Sequence, residues 1–334
     1  MIDNSELIDI MKQRDIGIDI AKGIGILMMI LGHSGGIPPI LRSFIYSFHM
    51  PLFFILSGYF HKTKPIREVF ASGNKQLVKP YLVTSFFGIL ICLAFGNVDL
   101  AHNKLFGILW ANGGFESEMF GKDLPSNGPL WFFLALFWCK IFYSYLKQIT
   151  DKCLLWSFVI STIALVIGRY IVNLPFGILT GFCGMVFYAM GDYWKNEITA
   201  PIKNSYLLVG GVVWVFCILN AQVDLSLFVC HLYPVSMFAA FVGTYITYLA
   251  ACKMPSSLKP TLCWIGRNTM LILCYHTLLF FIVFRNLKQY YFEPNGVTIN
   301  GCVHLVFELI LGVGLPIVHV TIKNYISKKR TENA

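Results

Sequence analysis

The sequence predicts an all-α integral membrane protein, a polytopic bundle of about ten transmembrane helices with both termini cytoplasmic. Three observations predict it. Of 334 residues, 56% are hydrophobic and 13% charged, with a mean hydropathy of +0.66, where soluble domains carry about 25% charged residues. The apolar residues come in runs of about twenty, the length an α-helix needs to cross a hydrocarbon core. The basic residues gather in alternate connections. With the N-terminus inside, 17 of the 26 Lys and Arg fall in cytoplasmic segments and six outside, and Lys22, Lys140 and Arg267 fall within spans. That bias follows the positive-inside rule. It also explains the net charge of +9, so no nucleic-acid partner is expected and the lipid bilayer is.

In order, residues 1–13 form a polar cytoplasmic leader, 14–326 the membrane domain and 327–334 a basic cytoplasmic tail. The first span covers roughly 15–34 and closes at the turn Ser34-Gly-Gly-Ile-Pro-Pro39. The second, 39–61, contains FHMPLFFILSGYF with Pro51 in mid-span, which lipid-embedded helices tolerate. A basic linker leads to the third span at about 76–96. Residues 97–127 are the longest polar segment, a length that points to a lid or binding loop. The fourth span opens at GPLWFF (128–133), and others follow near 153–171, 175–194, 205–220, 231–252, 261–284 and 299–325. The ten cysteines contain no C-x-x-C pair and sit mostly in apolar runs, as small core residues do. No cleavable signal is evident.

The first span carries the chemistry that needs explaining. Positions 15, 19, 22, 26, 29 and 33 are spaced 4, 3, 4, 3 and 4 apart, so Asp15, Asp19, Lys22 and His33 share one helical face. A charged group at the bilayer centre costs roughly 2.5–3.5 kcal/mol on insertion scales, which demands a compensating reason. His33 could bond a neighbouring helix, or act as a general base, since imidazole titrates near neutrality. Asp19 reads as a pairing or orienting group. Lys22, Lys75 and Lys79 would converge on the cytoplasmic side if the first and third spans are neighbours. They form either interfacial anchors or a phosphate-binding set. Tyr81 could stack on a base or hold the helix entry.

His49 and Ser57 lie eight apart on the second span, although Ser57-Gly58 reads equally as close helix packing. Trp131 reads as an interfacial anchor or a carbohydrate-facing aromatic. WIGRNTMLILCYH places Arg267 and Asn268 early in the ninth span and His276 eight or nine residues later. An intramembrane Arg points to a role in a reaction chamber. His61, His102, His231, His304 and His319 receive no role. No H-E-x-x-H, phosphate-binding loop, dinucleotide fingerprint or G-x-S-x-G occurs.

These motifs resemble the acyltransferase-3 family of integral-membrane O-acyltransferases, over about residues 12–325. The elements that carry the resemblance are Asp19-Ile-Ala-Lys22-Gly23 with Gly32-His33, and the stretch Phe48 to Phe60. Further along come Lys75 to Tyr81, Gly128 to Phe132, and Gly266 to His276. The FHMPLFF form looks most like polysaccharide and fucose O-acetylases. The resemblance implies transfer of an acetyl or other short acyl group from cytoplasmic acyl-CoA to a hydroxyl of a surface or lipid-linked carbohydrate, in a bacterial inner membrane. His33 would be the essential imidazole, with Asp19 beside it. Arg14, Lys22, Lys75, Lys79 and Tyr81 would hold the acetyl-CoA or other short-chain acyl-CoA. His49, Ser57, Trp131, Arg267, Asn268 and His276 would line the acceptor site, and no metal is expected.

Two departures stand out. The fourth span lacks the glutamate of the W-S-L-x-x-E-x-Q-F-Y branch, and no hydrolase-like soluble domain follows. The distance fits independently, because eleven residues from Lys22 to His33 span about 16 Å, within reach of a pantetheine arm. The competing reading is a transporter of a small metabolite or glycan. The absence of visible internal repeats counts against it. Nothing in the sequence sets an oligomeric state.

Overall fold

A computed structural model describes residues 16–34, 37–113, 118–119, 122–198, 202–295 and 301–332. Apolar sequence in lipid must satisfy its own backbone, and helices do so within the segment. The elements are accordingly helical: α1 (Ile16–His33), α2 (Pro39–Tyr46), α3 (His49–Tyr59), α4 (Ile66–Gly73) and α5 (Lys79–Ala94). They continue with α6 (Val98–Trp110), α7 (Trp131–Ile149), α8 (Cys153–Tyr170), α9 (Ile178–Glu197) and α10 (Asn204–Asn220). The last four are α11 (Val235–Cys252), α12 (Lys259–Arg267), α13 (Thr269–His276) and α14 (Gly301–Glu332). Two-residue strands make two antiparallel ribbons, β1 (Glu118–Met119) with β2 (Lys122–Asp123) and β3 (Val223–Asp224) with β4 (Val229–Cys230).

Among the described residues, eight helical segments are long and apolar enough to cross a membrane: 16–33, 39–59, 66–94, 128–149, 153–170, 235–252, 269–292 and 305–326. Of the other two predicted spans, α9 carries Asp192, Lys195 and Glu197 in its last turns, and α10 is shorter at 17 residues. α1 packs against α12, α11 and α3, while α9 packs against α3, α8 and α7. The core lies between these two groups, with α3 shared by both.

Four local features differ from the sequence expectation, each for a physical reason. The second span is two helices broken at Ser47-Phe48. Pro51 has no N–H to return to the Ser47 carbonyl four residues back, so a regular ladder cannot run through. The Trp214 indole closes the gap by donating to Ser47 Oγ at 2.8 Å. The third helix begins at Ile66 and runs through a π-helical stretch (Asn74–Val78), which absorbs the approach to Pro80. The polar segment 97–127 is half helix. Asn97 caps α6 by accepting from the Leu100 N–H, and buried Lys104 donates to the Ser126 carbonyl at 3.2 Å. Burial pulls the Lys104 pKa down to about 8. Finally, the predicted ninth span is divided at Asn268, so Arg267 ends a short helix ahead of the span. The predicted C-terminal tail continues α14 as far as Glu332.

Candidate active site

The polar stripe of α1 meets three different surroundings along its length. At its first turn, buried Asp19 accepts from Arg267 Nε at 2.9 Å. Two glycines permit this contact. A Cβ on Gly23 would stand 2.3 Å from the Leu262 carbonyl oxygen, and one on Gly266 only 1.7 Å from that of Asp19. The backbones of α1 and α12 therefore touch, as small residues allow in membrane bundles. One turn on, Lys22 Nζ sits 4.7 Å above the Phe60 ring at the end of α3, a cation–π contact. The far end, Ile26, Met29 and His33, opens into a cavity of about 870 Å³.

That volume is within the usual range for a ligand pocket. Its walls come from the α2–α3 break (Arg42, Tyr46, His49), from Trp131 at the start of α7, and from the 220–231 segment, which brings Asp224, Ser226 and His231. The break between α2 and α3 is what turns Tyr46 and His49 toward the same space, their rings 5.0 Å apart. Gly128, with φ +62, ends the preceding loop so that Trp131 can begin α7 at the wall. Asp224 is held by the Ser226 N–H and hydroxyl at 2.9 and 2.6 Å.

His33 Nδ1 lies 2.9 Å from the Met29 carbonyl, and His49 Nδ1 lies 2.8 Å from that of Ile45. A carbonyl only accepts, so both rings must carry their proton on Nδ1 and keep Nε2 as the basic nitrogen. The His33 ring is flanked by Phe281 at 5.3 Å, His276 at 5.4 Å and Tyr46 at 6.4 Å between centroids. A side chain held by its own helix and boxed by three rings presents one nitrogen in one orientation.

The predicted site residues thus separate into groups. His33, His49 and Trp131 line one cavity, and His276 stands directly behind His33. Asp19 and Arg267 pair at the opposite end of α1. Arg267 does not line the cavity; its side chain is 46% exposed. Asn268 donates to the Trp264 carbonyl at 2.8 Å, bridging the junction between α12 and α13. Ser57 lies away from the cavity, next to Gly58, where a Cβ would stand 1.9 Å from the Tyr188 carbonyl oxygen. The Ser-Gly pair is a packing element there.

The expected convergence of lysines takes a different form. The principal neighbours of α1 are α12, α11 and α3 rather than the third predicted span, and Lys75 and Lys79 are exposed on that span (66–94). Tyr81 is buried, with its hydroxyl donating to the Ile108 carbonyl at 2.8 Å. It ties α5 to α6 instead of facing the lysines. Arg14 lies outside the described residues.

Sequence reasoning missed Tyr46, Phe281 and Glu308. Nothing but proximity marks the first two. Glu308 had a signal, a single carboxylate inside the apolar run of α14, which the rule for intramembrane charges should have singled out.

The family model described as an acyltransferase domain, that of acyltransferase-3, matches residues 15–321. The chain belongs to the acyltransferase-3 family. It is a membrane acyltransferase of that family. The matched region takes in every helix that lines the cavity, from α1 to α13. The acyltransferase is also similar to the nodulation protein NolL of Mesorhizobium japonicum, 23% identical over 94% of this chain and 87% of that protein. No solved structure matches it.

Proposed function

We propose that this acyltransferase moves an acetyl or other short acyl group from cytoplasmic acyl-CoA to a hydroxyl of a surface or lipid-linked carbohydrate, with His33 as the general base. The observation that carries the reading is the His33 ring. It stands on the cavity wall with Nδ1–H donated to Met29 and Nε2 basic. The acceptor hydroxyl oxygen attacks the thioester carbonyl while Nε2 takes its proton. The C–S bond then breaks, and the proton passes from Nε2 to the departing thiolate, giving an ester and the free thiol of CoA.

Two further features support the division of the site. Lys22 lies eleven residues, about 16 Å, from His33 along α1. A donor held by its phosphates near Lys22, with Lys75 and Lys79 adding charge at the same membrane face, would offer its thioester near His33. Charge counting in the sequence favours that end, with both termini, on the cytoplasmic side; the cavity would then open outward, as an enzyme of a bacterial inner membrane would need. The cavity combines the aromatic faces of Trp131 and Tyr46 with polar groups from Arg42, Asp224 and Ser226. Apolar ring faces with polar edges are the composition a sugar presents in return.

The test is turnover by the purified protein in detergent, given labelled acyl-CoA and a panel of sugars. Labelled ester forming without any gradient supports the enzyme; no turnover with any acceptor would favour the transporter reading. Two substitutions probe the halves separately. Lys22→Ala raises the KM for acyl-CoA by roughly tenfold, the value of one charge-assisted contact, and leaves the acceptor KM unchanged. Trp131→Ala does the reverse, raising the acceptor KM by about tenfold. If the two effects were exchanged, the cofactor and acceptor ends would be assigned backwards.

A further inference from the structure

Behind His33, on the side away from the cavity, lies a second pair of ionisable groups. His276 Nδ1 is 3.6 Å from Glu308 Oε1, with side-chain exposures of 0% and 3%. The His276 ring is 5.4 Å from that of His33, and Phe281 packs edge-on to both at 5.3 and 5.5 Å. Phe280 stacks parallel on the other face of His276 at 5.3 Å. Three groups from three helices are therefore neighbours in turn, Glu308 on α14, His276 on α13 and His33 on α1. The surroundings are aromatic, so charge–charge effects among them are strong.

We infer that Glu308, acting through His276, is a positioning residue for His33: the Glu308–His276 pair supplies the negative counter-charge for the imidazolium that forms when His33 takes the acceptor's proton. The inference rests on His33 being the base. A buried carboxylate and imidazole this close share protons as a unit. With one proton between them, the pair is neutral overall when Glu308 carries it as the acid. It is a carboxylate–imidazolium dipole when His276 does. With His276 neutral and Glu308 ionised, it is a net anion. The anion favours a positive His33 and so strengthens Nε2 as a base. No proton need leave the pair during turnover. The substrate's proton goes to His33 and on to the thiolate, while the pair acts by charge alone.

Other titratable or charged groups line the cavity that His33 borders: Arg42, Tyr46 and His49 from the second span, and Asp224 and His231 from the 220–231 segment. Of these, Arg42 and Asp224 are charged and are unchanged by substitution at 308. A shift on replacing Glu308 therefore reports Glu308. On α14, His319 is engaged elsewhere, 3.0 Å from the Tyr275 hydroxyl.

The experiment measures kcat, both KM values and the pH–rate profile of the full-length protein carrying Glu308→Gln, normalised to its abundance in membranes. Expected are a kcat lower by about tenfold, unchanged KM values, and an acid limb moved to lower pH by about one unit, because a weaker base protonates later as the pH falls. Glu308→Asp, which keeps the charge, restores the acid limb. Glu308→Met, of similar size and at home in an apolar span, gives the same readout if the Gln variant accumulates poorly. An acid limb that stays in place in both neutral variants overturns the inference, and so does a wild-type kcat. Activity retained by His33→Ala would instead overturn the underlying reading, so the two failures are distinguishable.

Discussion

His33→Ala reduces acyl transfer by at least about a hundredfold, the usual range for removal of a general base, while membrane insertion and abundance stay at wild-type level. The expectation of normal insertion follows from the position of the side chain. Its Nδ1–H bonds only its own helix, to Met29, and its ring borders the cavity. Alanine therefore removes no contact that holds two helices together apart from ring packing against Phe281, His276 and Tyr46. His33→Gln separates base from hydrogen-bonding partner. The amide can still bond the substrate but cannot take its proton, so it is as inactive as alanine. Measurement of labelled ester formed per mole of protein decides the matter. Transfer retained by both variants would remove His33 from the mechanism.

Gly266→Ala and Gly23→Ala disrupt the fold, and the loss is larger than for most single substitutions in the bundle. Each new Cβ would fall on backbone, 1.7 Å from the Asp19 oxygen or 2.3 Å from that of Leu262. A flexible side chain could swing aside; a carbonyl inside a helix cannot. Relief requires α1 and α12 to move apart, which also lengthens the Asp19–Arg267 bond of 2.9 Å. Overpacking alone costs about 1–3 kcal/mol. The ion pair adds less than a fully buried one would, because the Arg267 side chain is 46% exposed and partly screened. The measurement is thermal stability in detergent, with abundance in membranes alongside. Gly211→Ala on α10, where a Cβ meets nothing within 4 Å, serves as the control and leaves both unchanged. Equal behaviour of the three variants would mean that the α1–α12 contact is not a close one.

Much of the bundle was readable in advance because lipid imposes a simple rule: a span must be apolar, helical and about twenty residues long. The α1 stripe was equally legible. Its positions share one face by helical geometry alone, and four of them, Asp19, Ile26, Met29 and His33, meet the pair or cavity that the side chains suggested, while Asp15 lies outside the described residues. Less legible were the breaks. Pro51 was visible, but its effect, a helix end at Tyr46 and a new start at His49, depends on Trp214 bonding Ser47 from far along the chain. Arg267 stood out by its charge as a candidate for the chamber, but it pairs with Asp19, 248 residues away, and does not line the cavity, which spacing could not foretell.

The sequence by itself determined the class of the protein, the placement of most of its helices and the one-sided chemistry of α1, from hydropathy and a 3.6-residue period. The tertiary structure alone decided which elements meet that face. Asp19 met Arg267 because two glycines let two backbones touch. His33 met Tyr46, Phe281 and His276 because a broken second span and the end of α13 with the turns after it pack around the same ring. Glu308 came to stand behind His276 because α14 packs on α13. Periodicity fixes which side of a helix is polar; only packing between helices distant in sequence chooses what that side will touch.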